Sequence, residues 1–325
     1  MKVFISRIIP DIATKMIEEA GHTITQFTER RDLSFEELVN TCKQHDAFLS
    51  VSHNKLNKEF LNQCTHLKVI SLFSVGYDHL DVEEATRLKI PVGNTPNVLS
   101  NATADTAFLL MLAVSRKAIY LHKTIAKAEW GYYDPIANLG IELYDKTLGI
   151  FGLGKIGYEL AKRCKGAYNM KLIYYNRGNN PQAENELGAV KVSFDELLQQ
   201  SDVLSVHCAL TDETRGLFDK KIFRKMKPTS IFINTARGGI HNEQDLIEEL
   251  KAGSIWGAGL DVTNPEPMNP DNALLDMPNV AILPHIGSAT FEAREGMARI
   301  AALNIIAGLN GERLPFAVNP GIYGA

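Results

Sequence analysis

Three polar residues follow apolar, strand-like segments in the C-terminal half of the sequence, and their types could do acid–base chemistry. They are Arg237 in "NTARGG", Glu266 in "LDVTNPEP" and His285 in "LPHIGSAT". A carboxylate bonded to one nitrogen of an imidazole orients the ring and favours its protonated form, so that the His can donate a proton. A guanidinium offers a fixed cation to a carboxylate or to an oxygen that gains negative charge. The three residues together predict a proton-transfer site with a cation beside it.

Each of these residues also has a plainer interpretation. A lone His is more often structural, Glu266 stands between two prolines and could shape a turn, and Arg237 could pair with a surface acid. Their joint position favours a functional role, because an open parallel sheet binds its ligands at the carboxyl ends of the strands. By contrast, His79 in "GYDHLD" and His207 in "VLSVHCAL" are interpreted as structural.

A glycine-rich segment upstream predicts a nucleotide site. Gly152, Gly154 and Gly157 form GxGxxG in "TLGIFGLGKIGYELAKRCK", directly after a strand-like run and at the start of a helical pattern. The first glycine permits a tight turn, the second lets backbone approach a pyrophosphate, and the third lets helix and strand pack closely. Backbone N–H groups of Lys155 and Ile156 would then face the anion at the helix N-terminus. A glycine-rich turn that binds nothing is the alternative.

The stretch "YYNRGNN" predicts which dinucleotide is bound. An NAD site typically has Asp or Glu after its second strand, where the carboxylate binds the ribose hydroxyls and repels a 2′-phosphate. Here Asn176 carries no charge and Arg177 supplies a donor fork that suits a phosphate. The preferred cofactor is therefore NADP(H), with NAD(H) possible. The alternative is that Arg177 is only a solvated arginine at a turn.

The elements that would position these residues alternate between short apolar strands and helical patterns, which indicates parallel sheets covered on both faces. One series runs from residue 1 to about 98 and another from about 147 to 286. We expect an α/β protein with two Rossmann-like or flavodoxin-like domains and an active-site cleft between them. Residues 1–98 and 287–325 would form a discontinuous substrate-binding domain, and residues 99–286 the dinucleotide-binding domain. One long helix without Gly or Pro, "SNATADTAFLLMLAVSRKAIYLHKTIAKAEW", would connect them.

Composition excludes several other classes. The chain has 325 residues, 45% of them apolar, and a net charge of −4, which is typical of a globular protein and gives no reason to expect nucleic acid as a partner. No apolar run is long enough to span a bilayer, so we expect an unprocessed cytoplasmic protein without a membrane partner. Four cysteines without a CxxC pair predict reduced thiols rather than disulfides, and no motif predicts a bound metal.

Six ordered motifs make the sequence recognisable. They are, in order, "VGYDHLD", "NTPNVLSNATAD", "FGLGKIG", "NTARGG", "GLDVTNPEP" and "PHIGSAT", and the resemblance that they carry covers nearly the whole chain. Together they resemble the D-2-hydroxyacid dehydrogenase family, and within it most closely the glyoxylate/hydroxypyruvate reductases, which typically use NADPH. The resemblance implies reduction of small 2-oxo acids such as glyoxylate or hydroxypyruvate to the 2-hydroxy acids. Hydride would pass from C4 of the nicotinamide to C2 of the substrate.

Carried over by motif, the resemblance implies a role for each site residue. His285 would donate the proton to the substrate carbonyl oxygen, with Glu266 as its partner, and Arg237 would bind the 2-oxo acid. Backbone N–H groups of Val75 and Gly76 would hold the substrate carboxylate. The cofactor would be lined by Thr103, Ala209, Leu210, Thr235, Asp261 and Gly287, although Asp261 could instead cap local backbone.

The loop before "LG" departs from the pattern of these reductases. Ala137 in "WGYYDPIANLG" stands where relatives often have a Trp, so the size of the substrate is open. Trp130, Tyr132 and Tyr133 could compensate or could pack the domain connection. Two other functions stay open: an NAD-dependent dehydrogenase for a bulkier D-2-hydroxy acid, and a dinucleotide-sensing protein like the corepressors that resemble this family. The long connecting helix has an apolar stripe that fits the homodimer usual in the family, so we expect a homodimer. A helix buried within one monomer would show the same apolar stripe.

Overall fold

The computed structural model describes residues 1–52 and 54–324, which form two compact units. Unit 1 combines residues 1–99 with the described part of 289–325, and unit 2 is Ser100–Ser288. None of the helices in these described residues has the length and apolar character needed to cross a membrane.

Both units alternate strands and helices along the chain. The strands are β1 Lys2–Ile5, β2 Thr23–Gln26, β3 Ala47–Ser50, β4 Val69–Leu72, β5 Val92–Gly93, β6 Thr147–Phe151, β7 Lys171–Tyr175, β8 Val190–Lys191, β9 Val203–Val206, β10 Ile231–Asn234, β11 Gly257–Leu260 and β12 Val280–Ile282. The helices are α1 Asp11–Glu19, α2 Phe35–Cys42, α3 Lys58–Gln63, α4 Val82–Arg87, α5 Ser100–Ser115, α6 Ala118–Ala126, α7 Lys155–Tyr168, α8 Pro181–Leu187, α9 Phe194–Gln200, α10 Lys220–Phe223, α11 Glu243–Lys251 and α12 Phe291–Leu309. Short 3₁₀ turns lie at Gly238–Ile240, Ala273–Asp276 and Pro320–Tyr323.

Unit 1 contains a five-stranded parallel sheet in the order β2-β1-β3-β4-β5. Its central strands β3 and β4 are buried along their whole length, as expected for a sheet covered on both faces. The C-terminal helix α12 packs on α1 and β4, where Gly308 leaves room for Val69. This strand order is the flavodoxin-like one.

Unit 2 contains a seven-stranded parallel sheet in the order β12-β11-β10-β9-β6-β7-β8. One core beneath α5 and α7 includes Leu110, Val114 and Ile150, and a second core on the other face includes Leu204 and Phe232. The order reverses between β6 and β9, which is the Rossmann switch point where ligands bind. The predicted fold class, with two domains built on parallel sheets, is confirmed.

The prediction of one long connecting helix is wrong, because α5 ends at Ser115 and α6 begins at Ala118. Lys117 has φ 54°, in the left-handed region, and so breaks the helix without Gly or Pro. The carbonyl of Ser115, which would otherwise continue the helix, accepts a hydrogen bond from the N–H of Ile141 at 2.9 Å. A returning loop thus terminates α5.

Candidate active site

The three predicted acid–base residues follow three neighbouring strands of unit 2. Strands β10, β11 and β12 are parallel and adjacent, with Asn234 opposite Leu260 and Leu260 opposite Ile282 at their carboxyl ends. Arg237, Glu266 and His285 all come after these ends, on loops at one edge of the sheet. The topology therefore places the predicted residues where an open α/β sheet binds ligands.

The imidazole of His285 is paired with the carboxylate of Glu266. Nδ1 of His285 lies 2.9 Å from Oε2 of Glu266, while Oε1 of Glu266 accepts a hydrogen bond from the N–H of Thr263 at 2.9 Å. The carboxylate is thus held by backbone on one side and orients the ring on the other. About a third of each side chain is exposed, 37% for His285 and 28% for Glu266, so the pair is accessible to a ligand.

Asp261 holds the loop that carries His285. Its Oδ1 accepts from the N–H of Ile286 at 2.8 Å and its Oδ2 from the N–H of Gly287 at 2.7 Å. Burial raises the pKa of Asp261, and the two N–H groups lower it in part. His285 itself has φ 54°, a conformation that costs roughly 1–3 kcal/mol outside glycine. Asp261 therefore helps to maintain a strained backbone at His285.

Thr103 of α5 binds the same loop from the other side. Its hydroxyl donates to the carbonyl of Gly287 at 3.0 Å, and both residues are buried. A Cβ atom at Gly287 would come within 3.0 Å of Asp261 Oδ2 and 3.2 Å of Thr103 Cγ2, so a larger residue would disturb both contacts. Asp261, Thr103 and Gly287, which the family resemblance assigned to the cofactor, form one packed group next to His285.

Arg237 sits on a tight turn between β10 and the 3₁₀ turn Gly238–Ile240. Its Nη1 donates to the carbonyl of Ala236 at 2.7 Å. A Cβ atom at Gly238 would lie 1.9 Å from the carbonyl oxygen of Thr263, so only glycine lets this turn approach the loop that carries Glu266. The Arg237 loop and the Glu266 loop are therefore packed against each other.

The glycine-rich loop after β6 needs glycine at two of its three motif positions and is open at the third. Gly152 has φ +94°, and a Cβ there would meet the backbone of Cys208 at 2.6 Å; a Cβ at Gly157 would meet Ile150 at 3.0 Å. Gly154, in contrast, faces open space, and it caps α7 without any side-chain hydrogen bond. The first N–H groups of α7, at Lys155 and Ile156, therefore begin a helix whose N-terminus fits an anion.

The side chain of Asn176 is bound to the glycine-rich loop. Its Oδ1 accepts from the N–H of Leu153 at 2.7 Å and its Nδ2 donates to the carbonyl of Leu153 at 3.1 Å. Asn180 Nδ2 donates to the same carbonyl at 3.0 Å. The amide therefore makes a pair of bonds that a carboxylate could not make, because an Asp could not donate to the Leu153 carbonyl.

A second cation accompanies Arg177, and sequence reasoning missed it. Nζ of Lys191 donates to the carbonyl of Arg177 at 3.3 Å and to Oδ1 of Asn179 at 3.0 Å. Lys191 lies in β8, where it stands opposite Tyr174 of β7. Both cationic side chains are exposed. Lys191 reaches Arg177 only through the pairing of β7 with the two-residue strand β8. A strand this short leaves no periodic pattern in the sequence, so no local signal predicts the contact.

The loops after β9 and β10 complete the edge beside the glycine-rich loop. The carbonyl of Ala209 accepts from Thr214 Oγ1 at 2.8 Å, and Leu210 packs near Gly239.

The ring of His207 lies between two hydroxyl groups. Its Nδ1 is 3.5 Å from the hydroxyl of the buried Thr235, and its Nε2 is 2.8 Å from Ser205 Oγ. Burial lowers the pKa of His207 to about 4, so this ring is neutral at physiological pH. These contacts support the interpretation of His207 as a structural residue.

Val75 and Gly76 belong to the loop after β4 in unit 1. The carbonyl of Val75 accepts from Asn94 Nδ2 at 2.8 Å, and that of Gly76 accepts from Ser74 Oγ at 2.7 Å. These bonds to the carbonyl oxygens fix the backbone of the loop. A backbone fixed in this way could present its N–H groups to an anionic ligand.

Comparison with known proteins identifies the family. Residues 108–287 match the family model described as "D-isomer specific 2-hydroxyacid dehydrogenase, NAD binding domain". The chain belongs to the D-isomer specific 2-hydroxyacid dehydrogenase family. Relatives within it include the glyoxylate reductase of Thermococcus litoralis, which is 45% identical over 98% of this chain and 96% of the relative.

Two solved structures are similar to nearly the whole chain. The glyoxylate reductase from Paecilomyes thermophila superimposes with a TM-score of 0.87 at 33% identity, covering 98% of both chains. An acyclic imino acid reductase in complex with NADPH and D-Arg has a TM-score of 0.85 at 28% identity, covering 98% of this chain and all of that one. The chain is thus an oxidoreductase that acts on 2-oxo acids and the CH–OH group of 2-hydroxy acids with a nicotinamide cofactor.

Proposed function

We propose that this enzyme reduces glyoxylate and hydroxypyruvate with NADPH, and that His285 donates the proton. The observation that carries the proposal is the 2.9 Å pairing of His285 with Glu266 at the strand edge that also carries Arg237. The names of its relatives, which include glyoxylate reductases, support the choice of substrate. The test is consumption of NADPH by the purified protein in the presence of glyoxylate.

His285 can act as the acid because its two nitrogens have separate tasks. Nδ1 faces the Glu266 carboxylate, and in this proposal Nε2 holds the proton for the substrate carbonyl oxygen. Glu266 stabilises the charged ring before transfer and, through its bond to Thr263, keeps the ring in one orientation. The nicotinamide cofactor, when bound, supplies the hydride.

Arg237 would bind the substrate through its carboxylate and carbonyl oxygens. A guanidinium carries five N–H donors in a planar fork and can bind two oxygens of one substrate at once. We propose in addition that the backbone N–H groups of Val75 and Gly76 bind the substrate carboxylate. An anionic substrate would then be held by charge and by backbone dipoles.

The preference for NADPH rests on the loop from Asn176 to Asn180. Arg177 and Lys191 offer two cations near the place of a 2′-phosphate, and no carboxylate stands at Asn176 to repel it. Lys155 and Ile156 would bind the pyrophosphate at the start of α7. Thr103, Ala209, Leu210, Thr235, Asp261 and Gly287 would line the rest of the cofactor site.

We propose further that the enzyme is a homodimer that associates through the loop after α6. This loop exposes large apolar side chains: Trp130 is 72% exposed, Tyr132 77%, Tyr133 85% and Ile136 80%. Exposed apolar residues in one short segment are typical of an interaction surface. A mass measurement in solution tests this, since replacing Trp130 and Tyr133 with Ser should then give monomers.

A further inference from the structure

Two buried polar residues near Arg237 have no part in the proposed chemistry. Asn234, the last residue of β10, is fully buried, and His241, just after the 3₁₀ turn Gly238–Ile240, is 2% exposed. Burying polar side chains costs free energy unless they are hydrogen-bonded, so their contacts should explain why they are there.

Asn234 ties together the turn that carries Arg237. Its Oδ1 accepts from the N–H of Ala236 at 2.9 Å, and its Nδ2 donates to the carbonyl of Arg237 at 2.9 Å. One side chain therefore bonds the backbone on both sides of the peptide link between Ala236 and Arg237. The same Ala236 offers its carbonyl to the Arg237 guanidinium at 2.7 Å.

His241 supplies the acceptor for the remaining hydrogen of the Asn234 amide. Nδ1 of His241 lies 3.1 Å from Asn234 Nδ2, which is already a donor to Arg237, so Nδ1 must accept and the ring proton must be on Nε2. Nε2 has no hydrogen-bond partner among the described residues, which leaves the contact with Asn234 as the ring's polar interaction there. The ring packs edge to face on Phe232 and cannot turn freely.

We propose that Asn234 and His241 form a positioning pair that fixes the backbone at Arg237 and so aims its guanidinium at the substrate. With the amide reversed, its NH₂ would face the N–H of Ala236 and its oxygen the carbonyl of Arg237. His241 adds a third contact that favours the observed orientation. The pair does not touch the substrate and acts only through the Arg237 turn. This inference rests on the proposed role of Arg237 in binding the 2-oxo acid.

Two substitutions separate the hydrogen bond from the bulk of the ring. His241→Asn keeps an acceptor oxygen close to the position of Nδ1, whereas His241→Leu fills much of the ring's volume and has no acceptor. We expect His241→Leu to raise the KM for glyoxylate about 10- to 100-fold, because a guanidinium that is no longer aimed at the substrate loses a charge-assisted hydrogen bond to it. kcat should change much less, and the Kd for NADPH, measured by fluorescence, should not change. His241→Asn should restore a KM close to that of the wild type.

Asn234→Asp provides a second test with almost no change in shape. Its carboxylate cannot donate to the carbonyl of Arg237, so the KM for glyoxylate should rise as in His241→Leu, again without a change in the Kd for NADPH. The proposal is contradicted if His241→Leu or Asn234→Asp keeps the wild-type KM, if His241→Leu and His241→Asn raise the KM equally, or if the Kd for NADPH rises in parallel. Failure of the wild-type enzyme to reduce any 2-oxo acid would instead overturn the proposed function.

Discussion

Asn176 binds both backbone groups of Leu153, accepting from its N–H at 2.7 Å and donating to its carbonyl at 3.1 Å. The residue that replaces the usual acid of an NAD site is therefore also a clamp on the glycine-rich loop. Asn180 donates to the same carbonyl and would partly replace a lost contact.

Asn176→Asp should change cofactor preference with little effect on folding. A carboxylate near the 2′-phosphate is a like-charge contact that costs several kcal/mol, so kcat/KM with NADPH should fall about 100-fold or more, while NADH is used at least as well. Steady-state rates with both cofactors measure this. Asn310→Asp, which adds the same charge at the exposed end of α12 in unit 1, should leave both rates unchanged. A parallel loss with both cofactors would indicate damage to the glycine-rich loop instead.

Arg177→Ala should raise the KM for NADPH about 10- to 100-fold, since a hydrogen bond to a charged group contributes roughly 1.5–3 kcal/mol. The KM for NADH should stay the same. Lys191→Gln should have a smaller effect in the same direction, because an ammonium acts as a single point charge. Lys171→Gln, at the opposite end of β7, is the matched control. An equal rise for NADPH and NADH in Arg177→Ala would remove the argument for a phosphate site.

His285→Ala should lower kcat for glyoxylate reduction about 100- to 10,000-fold, the usual contribution of a general acid. The Kd for NADPH should stay within the error of the wild type. Glu266→Gln should also lower kcat, because the amide carries no charge to stabilise the ring and its single oxygen cannot accept from both Thr263 N–H and His285 Nδ1. Single-turnover rates with saturating NADPH would measure both. Near-normal kcat in His285→Ala would mean that another group donates the proton.

Stability should depend on pH through His241. Burial lowers the pKa of this ring from 6.5 to about 4, so the unfolded chain binds more protons between these values and stability falls as pH decreases from about 6.5 towards 4. Between pH 7 and pH 5 this one residue should cost about 2 kcal/mol of unfolding free energy. Urea unfolding at the two pH values measures it, and His241→Asn should show a pH dependence smaller by that amount. If the free energy of unfolding changed equally with pH in the wild type and in His241→Asn, His241 would not be a neutral, buried ring.

The sequence predicted the parallel sheets and the strand-end positions of Arg237, Glu266 and His285, because apolar runs and glycine motifs are local signals. The break between α5 and α6 could not be predicted, since it depends on Ile141 binding Ser115 from a distant loop. Lys191 was missed for the same reason: the pairing of β7 with β8 brings it to Arg177 across fourteen residues. The bond between Asn234 and His241 likewise exists only once the turn has folded.

Reduction of small 2-oxo acids with NADPH is the activity that we propose for this enzyme. The most direct test is the steady-state oxidation of NADPH and of NADH by the purified enzyme with glyoxylate, hydroxypyruvate, pyruvate and a branched 2-oxo acid. We predict the highest kcat/KM for NADPH with glyoxylate or hydroxypyruvate. A higher kcat/KM for NADH with the branched acid would contradict the claim and favour a dehydrogenase for bulkier substrates, and tight NADPH binding without any turnover would favour a sensor.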